Sequence, residues 1–359
     1  MRAMIIWMSV CGWLVGCSAV QVETSMKMDD AEQLARSRAF SVCDYGAVGD
    51  DKTDNTAAFS ACLKAIVEAG GGRMFLPAGV YRGRIIIPPV SRPIASWITV
   101  EIVGQREPTP VFGTIGSFPL RNDGTIVKCL AETGPAVISA SRSPKSLYGG
   151  FSALNVVVRN VDVRTYDNPG IGGVDLQYAL QCKLENVFIN TGVYNVRASR
   201  PTHGTSGLIT PACNNAARTV LRNVTVTGYH NGIVVNEHTD GDDVVIGSNV
   251  NGLNFARAHH ASRFARVCSC RNTNTVTVTG PHGFSIGQLD IERPGPGQTD
   301  DVNAWQATAS DVCDPYNLGV ADINYWVVIG NVGARDVFNL KGGASIRARR
   351  IGQAGPVSR

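Results

Sequence analysis

The 359-residue sequence predicts an all-β solenoid, a single domain of stacked parallel coils closed at its N-terminal end by one α-helix. Three observations carry this. A phrase recurs from about residue 150: Val158-Arg159-Asn160-Val161-Asp162-Val163, Leu184-Glu185-Asn186-Val187-Phe188-Ile189 and Leu221-Arg222-Asn223-Val224-Thr225-Val226, with looser copies at Asn249-Val250 and Asn331-Val332. A repeat in the twenties with β-branched residues in every unit is what stacked β-coils require. Charged residues are only 17% of the chain and glycines number 39, which suits many short strands and tight turns and argues against disorder. Finally, one amphipathic helix within Ser41–Arg84 feeds directly into short strands and needs something to cover.

Residues 1–16 read as a secretory signal: Arg2, then an apolar run too short to span a bilayer. Leu14-Val15-Gly16-Cys17 resembles the lipobox of bacterial lipoproteins, which implies acylation of Cys17, attachment to a membrane through lipid and, with Ser18 following, an outer-membrane or cell-surface location. The alternative is an ordinary signal and a secreted or periplasmic protein. Residues 17–38 are polar and read as a tether. Besides Cys11 in the signal and Cys17 at its end, eight cysteines permit disulfides without fixing their pairing. Cys62 and Cys182 fall on apolar faces and are expected to be core residues.

The folded body, 39–359, opens with Asp44–Asp50, read as a short strand and a Gly-rich turn. Asp54, Asn55 and Thr56 are expected to cap the helix. Its apolar stripe is Phe59, Cys62, Leu63, Ile66 and Val67, and Gly70-Gly71-Gly72 ends it. Strand Met74-Phe75-Leu76 and a turn at Pro77-Ala78-Gly79 follow. This stretch, DYGAVGDDKTDNTAAF and then AGGGRMFLPAGVYR, resembles the opening of the pectate-lyase-like superfamily. The resemblance implies a right-handed, single-stranded parallel β-helix with the helix as its end cap. That superfamily includes hydrolases, lyases, epimerases and binding proteins, so the fold alone does not give the activity.

The recurrent asparagines step by 26, 37 and 26 residues, the 37 being one period plus an insertion placed around Ser199–Gly204. Asn suits a left-handed bend between strands and can stack as an amide ladder. At about 273–300 the period breaks, and Asn274–Thr279 and Gln288–Glu292, with Gly280–Gly287 as the turn between them, read as a small β element inserted in the solenoid.

The richest segment for chemistry is Asn236-Glu237-His238-Thr239-Asp240-Gly241-Asp242-Asp243. Gly241-Asp242-Asp243 resembles the GDD element of polygalacturonases, which implies catalytic carboxylates at Asp240, Asp242 and Asp243, although that family's preceding NTD and its Arg-Ile-Lys element are missing here. If Asp242 and Asp243 both lie in a strand, they point to opposite faces. The alternative is a solvated turn with Asp240-Gly241 at its tip. Arg257, His259, His260, Arg263 and Arg266 follow within ten positions. His259 is a candidate base, and His238, Arg257, His260 and Arg263 are candidates for substrate binding, because chemistry on uronates needs a base and a cation on the carboxylate. One of the carboxylates is expected within reach of His259, His260 or Arg263. Gly280–Gly287 resembles a second polygalacturonase element through His282, but its Pro281 favours a turn. The resemblance implies an exported enzyme on acidic, pectin-like polysaccharide, hydrolase or lyase, with no obligatory cofactor and calcium in the lyase case. A carbohydrate-binding or surface-structural β-helix is the alternative. A net charge of +4 is too small to suggest a nucleic-acid partner.

Overall fold

A computed structural model of the protein describes residues 38–93, 96–108, 124–144, 150–165, 170–191, 205–213, 217–256, 262–270, 272, 274–278, 284–292, 303–307, 320–328, 338–340 and 345–353. From residue 290 onward only backbone placement is described. The segments expected as signal and tether, with Cys17, lie outside these residues up to residue 37, as do the insertion expected around Ser199–Gly204 and the repeat copy expected at Asn331-Val332.

The described chain is a right-handed parallel β-helix with two ladders, a 14-stranded sheet and a 9-stranded sheet in which neighbouring strands come from successive coils. A coil takes one short strand of the second sheet, such as Asn231–Val235, and then one long strand of the first, such as Thr239–Gly247. The long strand turns a corner in its middle. At that corner sit Asn160, Asn186, Asn223 and Asp243, all with positive φ between 50° and 56°. Asn and Asp enter this region at less cost than other non-glycine residues.

The corner residues stack. Strand Leu154–Arg164 pairs with Gln181–Asn190, which pairs with Arg218–Thr227, and the three asparagines fall in one register slot. The slot then passes to Asp243, because Arg222 lies opposite Asp242 and Val224 opposite Val244. Asn249, expected as the next copy, is elsewhere. It is buried at the following turn, where its Nδ2 donates to Val226 O at 3.2 Å and Asn272 Oδ1 at 3.0 Å. The coil after Asn223 is shorter, 242 − 222 = 20 residues between paired positions, so a fixed step of 26 lands on the wrong corner.

Inside, each row holds one residue per coil. Val161, Val187, Val224, Val244, Val267 and Leu289 form one apolar file, all buried. A second file runs Val158, Leu184, Leu221, Gly241, Phe264 and Ile286. Gly241 leaves a gap that the Phe264 ring fills, since a Cβ at Gly241 would collide with Cδ1 and Cε1 of that ring. Phe264 packs edge-on against Phe255 at 5.9 Å, and Phe255 stacks on Phe284 at 3.8 Å.

Helix Thr56–Glu68 closes the N-terminal end. Phe59, Cys62, Leu63 and Ile66 are buried against strands Gly72–Leu76, Ile85–Ile87 and Ile98–Gly104. Gly71 N donates to Ile66 O at 2.9 Å and Gly70 N to Val67 O at 3.1 Å, a Schellman ending that needs the left-handed Gly70 (φ 83°). Capping falls to Asp54, whose Oδ1 accepts from Thr56 N at 2.9 Å. Asn55 makes no capping bond. Its side chain clamps the chain entry instead, accepting from Val48 N and donating to Val48 O, Thr53 O and Arg82 O. Asp44 is in a short 3₁₀ turn, Val42–Tyr45, because the first strand comes earlier, at Ala39–Ser41. Cys62 and Cys182 are buried as expected, and burial pushes both thiols up to about 12.

The β element expected as an insertion at 273–300 is part of the solenoid itself. Asn274–Val278 continues the second sheet beside Asn251–Phe255, and Phe284–Glu292 continues the first beside Ser262–Cys270. The two strands belong to different sheets of one coil, so they do not pair as a hairpin.

Candidate functional site

The long strands present a row of charged side chains on the outer face, just before the corner. In register these are Arg159, Glu185, Arg222 and Asp242, and two residues upstream Lys183, Asp240 and Arg263, with the uncharged Val220 between Lys183 and Asp240. Alternation along a strand sends Leu221, Gly241 and Phe264 inward and their neighbours outward. Asp240 and Asp242 therefore share a face and belong to a strand, not to the tip of a solvated turn.

A shallow depression of about 360 Å³ lies here, lined by Val220, Leu221, Arg222, Asp240, Gly241, Asp242, Arg263 and Ala265. Its upstream shoulder is neutralised. Glu185 takes Lys183 Nζ at 2.9 Å and Arg159 Nε at 3.2 Å, and the Lys183 hydrogen bond, aided by Arg159 and Arg222, holds its carboxyl below the usual range against the opposing effect of burial. Within the depression Asp240 meets Arg218 Nη2 at 3.3 Å, an exposed pair. Arg222, Asp242 and Arg263 have no side-chain hydrogen bond or ion pair among the described residues. Two guanidiniums and one carboxylate are left to face solvent together.

Of the predicted residues, Asp240, Asp242 and Arg263 are brought together. Asp240 is directly opposite Arg263 in the pairing of the two strands. Asp243 does not join them. Its left-handed backbone places it on the corner, where it pairs with Arg266. The carboxylates at 242 and 243 thus do not share a face, unlike the arrangement the GDD resemblance implies. His238 sits in the turn before the strand, its Nδ1 3.8 Å from Glu237 Oε2. Arg257, His259, His260 and His282 lie outside the described residues.

Arg222 escapes a reading of motifs, though it has a signal in the sequence. The residue before each corner Asn or Asp is charged, with signs alternating from coil to coil: Arg159, Glu185, Arg222, Asp242. Asp175 also escapes it. It faces outward from the second sheet, its carboxylate accepts from Gln177 N at 3.1 Å and Gln177 Nε2 at 2.9 Å, and burial nonetheless raises its pKa above the usual carboxylate range. A two-residue strand carries it, too short to show a period.

For calcium the donor set does not fit. Among the described residues no three carboxylates, imidazoles or thiols gather, and the two carboxylates of the depression are interleaved with guanidiniums.

A parallel β-helix with a charged depression on one face defines the class. Residues 39–274 match the family described as rhamnogalacturonase A/epimerase, pectate lyase-like, and the chain belongs to that family. Over 43 residues, 12% of its length, it is 54% identical to mannuronan C5-epimerase AlgE3 of Azotobacter vinelandii. Over a stretch of the same length it is 51% identical to alginate lyase 7 of that organism. The matched stretches span only 2% and 5% of those two proteins. The structure of DFA-IIIase from Arthrobacter chlorophenolicus A6 superposes with a TM-score of 0.47 at 12% identity, covering 88% of this chain and 92% of that one.

Proposed function

We propose that the protein acts on an acidic polysaccharide by removing the proton next to a sugar carboxylate. The observation that carries this is the register that sets Asp242 directly opposite Arg222 on adjacent strands of an exposed face, neither side chain held in a hydrogen bond or ion pair among the described residues. Arg222 holds the carboxylate of the reacting sugar and neutralises the charge that builds on it, while Asp242 takes the α-proton. The electron pair then either expels the glycosidic oxygen at the β-position, which leaves as a hydroxyl by taking a proton from solvent water and gives an unsaturated end, or takes a proton from solvent water on the opposite face, giving the epimer. Arg263 holds a second acidic group of the polymer. Hydrolysis is less well served. It needs a protonated and an ionised carboxyl on opposite sides of the bond, whereas Asp243 has turned away and Asp240 is tied to Arg218. The epimerases and the lyase among the relatives agree with the proton-abstraction reading.

Incubating the mature protein with uronate polymers, with and without calcium, tests this: ultraviolet absorbance reports unsaturated ends and proton NMR reports epimerised residues. Asp242→Asn is expected to lower turnover by about 10²–10⁴ with an unchanged melting temperature. Asp243→Asn, which restores the amide of the other corners, is expected to turn over normally. The exposure of both depression carboxylates favours a second reading, binding without turnover. Saccharide binding with no product on any polymer would select it.

We also propose export with acylation at Cys17, supported by the Leu-Val-Gly-Cys ending of the apolar run. Cys17→Ser should release the protein from membranes, and a soluble wild-type protein would overturn the anchor.

A further inference from the structure

We propose that the protein carries a metal site past the corner, away from the depression: Cys268, Cys270, Asp290 and Glu292 together take one borderline-soft divalent cation, zinc first among them. The site uses none of the residues of the depression and does not depend on the saccharide reading. Strand Ser262–Cys270 pairs in parallel with Phe284–Glu292, and the register sets Asp290 opposite Cys268 and Glu292 opposite Cys270. Val267 and Ser269 are buried inside, where the Ser269 hydroxyl meets Thr275 Oγ1 at 2.9 Å and accepts from Asn272 Nδ2 at 2.9 Å. Alternation then puts Cys268 and Cys270 on the outer face, where both are half-buried and neither is in a disulfide. Leu289 is buried in the same file as Val267, so Asp290 and Glu292 fall at outer-face positions of the next coil. Only the backbone of these two is described, and they enter the site by register and face.

The four positions form a rectangle bounded by uncharged residues. Upstream the same two files hold Val245 and Gly247, and downstream Trp326 and Val328. Gly247 puts no side chain beside Cys270, where a Cβ would stand 3.9 Å from the Cys270 Cβ. Two thiolates completed by two carboxylates suit zinc, which is bound tetrahedrally by sulfur, nitrogen and oxygen ligands. Calcium takes ~6–8 oxygens and would find two carboxylates here. The dimensions suit zinc as well. Positions two apart on a strand are ~6.6 Å apart, and neighbouring strands ~4.8 Å. Two sulfurs on one zinc, each at ~2.3 Å, stand ~3.8 Å from each other in a tetrahedron. Each thiol has then to lean ~1.4 Å toward the other, less than the length of a carbon–sulfur bond. The same ~6.6 Å separation opposes a disulfide between the two, because the Cβ atoms of a bridged pair stand ~3.8 Å apart. Cys-x-Cys is too short a spacing to be a zinc motif alone. The solenoid supplies the missing pair one coil later. On ligation each thiol gives its proton to solvent.

Calorimetric titration of the reduced, chelator-treated protein with zinc chloride tests this, with calcium chloride as the control. One equivalent of zinc is expected to bind with a dissociation constant below about 1 μM, and calcium about 10³-fold or more weakly. Cys268→Ser and Cys270→Ser are each expected to weaken zinc about 100-fold, and Asp290→Asn and Glu292→Gln about tenfold. Without metal, all four variants should melt where the metal-free wild type does. Zinc ties two coils together, so it should slow amide exchange in both Ser262–Cys270 and Phe284–Glu292 of the wild type. A wild-type protein that takes up no zinc overturns the site, and so does a Cys268→Ser, Cys270→Ser double variant that binds it as tightly as wild type. If the thiols matter but neither carboxylate variant weakens binding, the next coil contributes no ligand and the four-residue site is wrong. Should the double variant fail to fold, the two carboxylate variants decide by the same rule.

Discussion

Asn186 donates from Nδ2 to Oδ1 of Asn160, one coil earlier, at 3.1 Å. Asn223 repeats the contact to Asn186 at 3.0 Å and reaches Glu107 Oε1 at 2.8 Å. One residue type thus meets two demands at the corner, a left-handed backbone and an amide that both gives and accepts.

The two demands can be separated. Asn186→Gly keeps the backbone and loses the ladder, whereas Asn186→Ala loses both. Urea unfolding should show Gly costing about 1–2 kcal/mol. Ala should cost roughly 1–2 kcal/mol more, because its Cβ is strained in the left-handed region. Equal losses would mean that the corner conformation does not matter.

Gly241 belongs to the segment richest in candidate chemistry, yet its place in the core is set by Phe264. Gly241→Ala drives a methyl into that ring, so it should destabilise by about 1–3 kcal/mol through overpacking. Gly241→Ala combined with Phe264→Leu should recover part of the loss in the same unfolding measurement. No recovery would show that the ring is not the obstacle.

Asp175 gives the molecule a pH dependence of definite sign. Its folded pKa is raised by burial, so the folded state holds the proton more tightly than the unfolded chain. The stability it contributes is full below the unfolded carboxylate pKa and is lost as pH rises through the folded value. Asp175→Asn removes that loss. Its melting temperature relative to wild type should rise between acid and neutral pH, and a flat difference would contradict the buried carboxyl.

How much of the fold is legible in the sequence can be judged residue by residue. The cap helix, its buried stripe and its glycine ending are legible because short-range periodicity and backbone chemistry determine them. The first three corner asparagines are legible for the same reason. The fourth corner is not, because the next coil is shorter and the slot changes from Asn to Asp243, so counting leads to Asn249. Capping preference also misleads at Asn55, whose amide is claimed by four backbone groups across the entry loop rather than by the helix. At the site, Asp240, Asp242 and Arg263 can be named from residue type and spacing. Arg222 needs the register, and the separation of Asp242 from Asp243 needs one dihedral angle.

The change of chemistry along the corner gives the solenoid a weak direction. As far as Asn223 the corners are joined by neutral amide bonds, which ionic strength hardly affects. From Asp243 the junction is an exposed pair with Arg266, about half accessible on both sides, and such a pair is screened by salt. Each coil leans only on its neighbours, so loosening one junction does not spread evenly. Raising the ionic strength should therefore unzip the molecule from its C-terminal side, with amide exchange quickening in Ser262–Cys270 before it does in Gln181–Asn190.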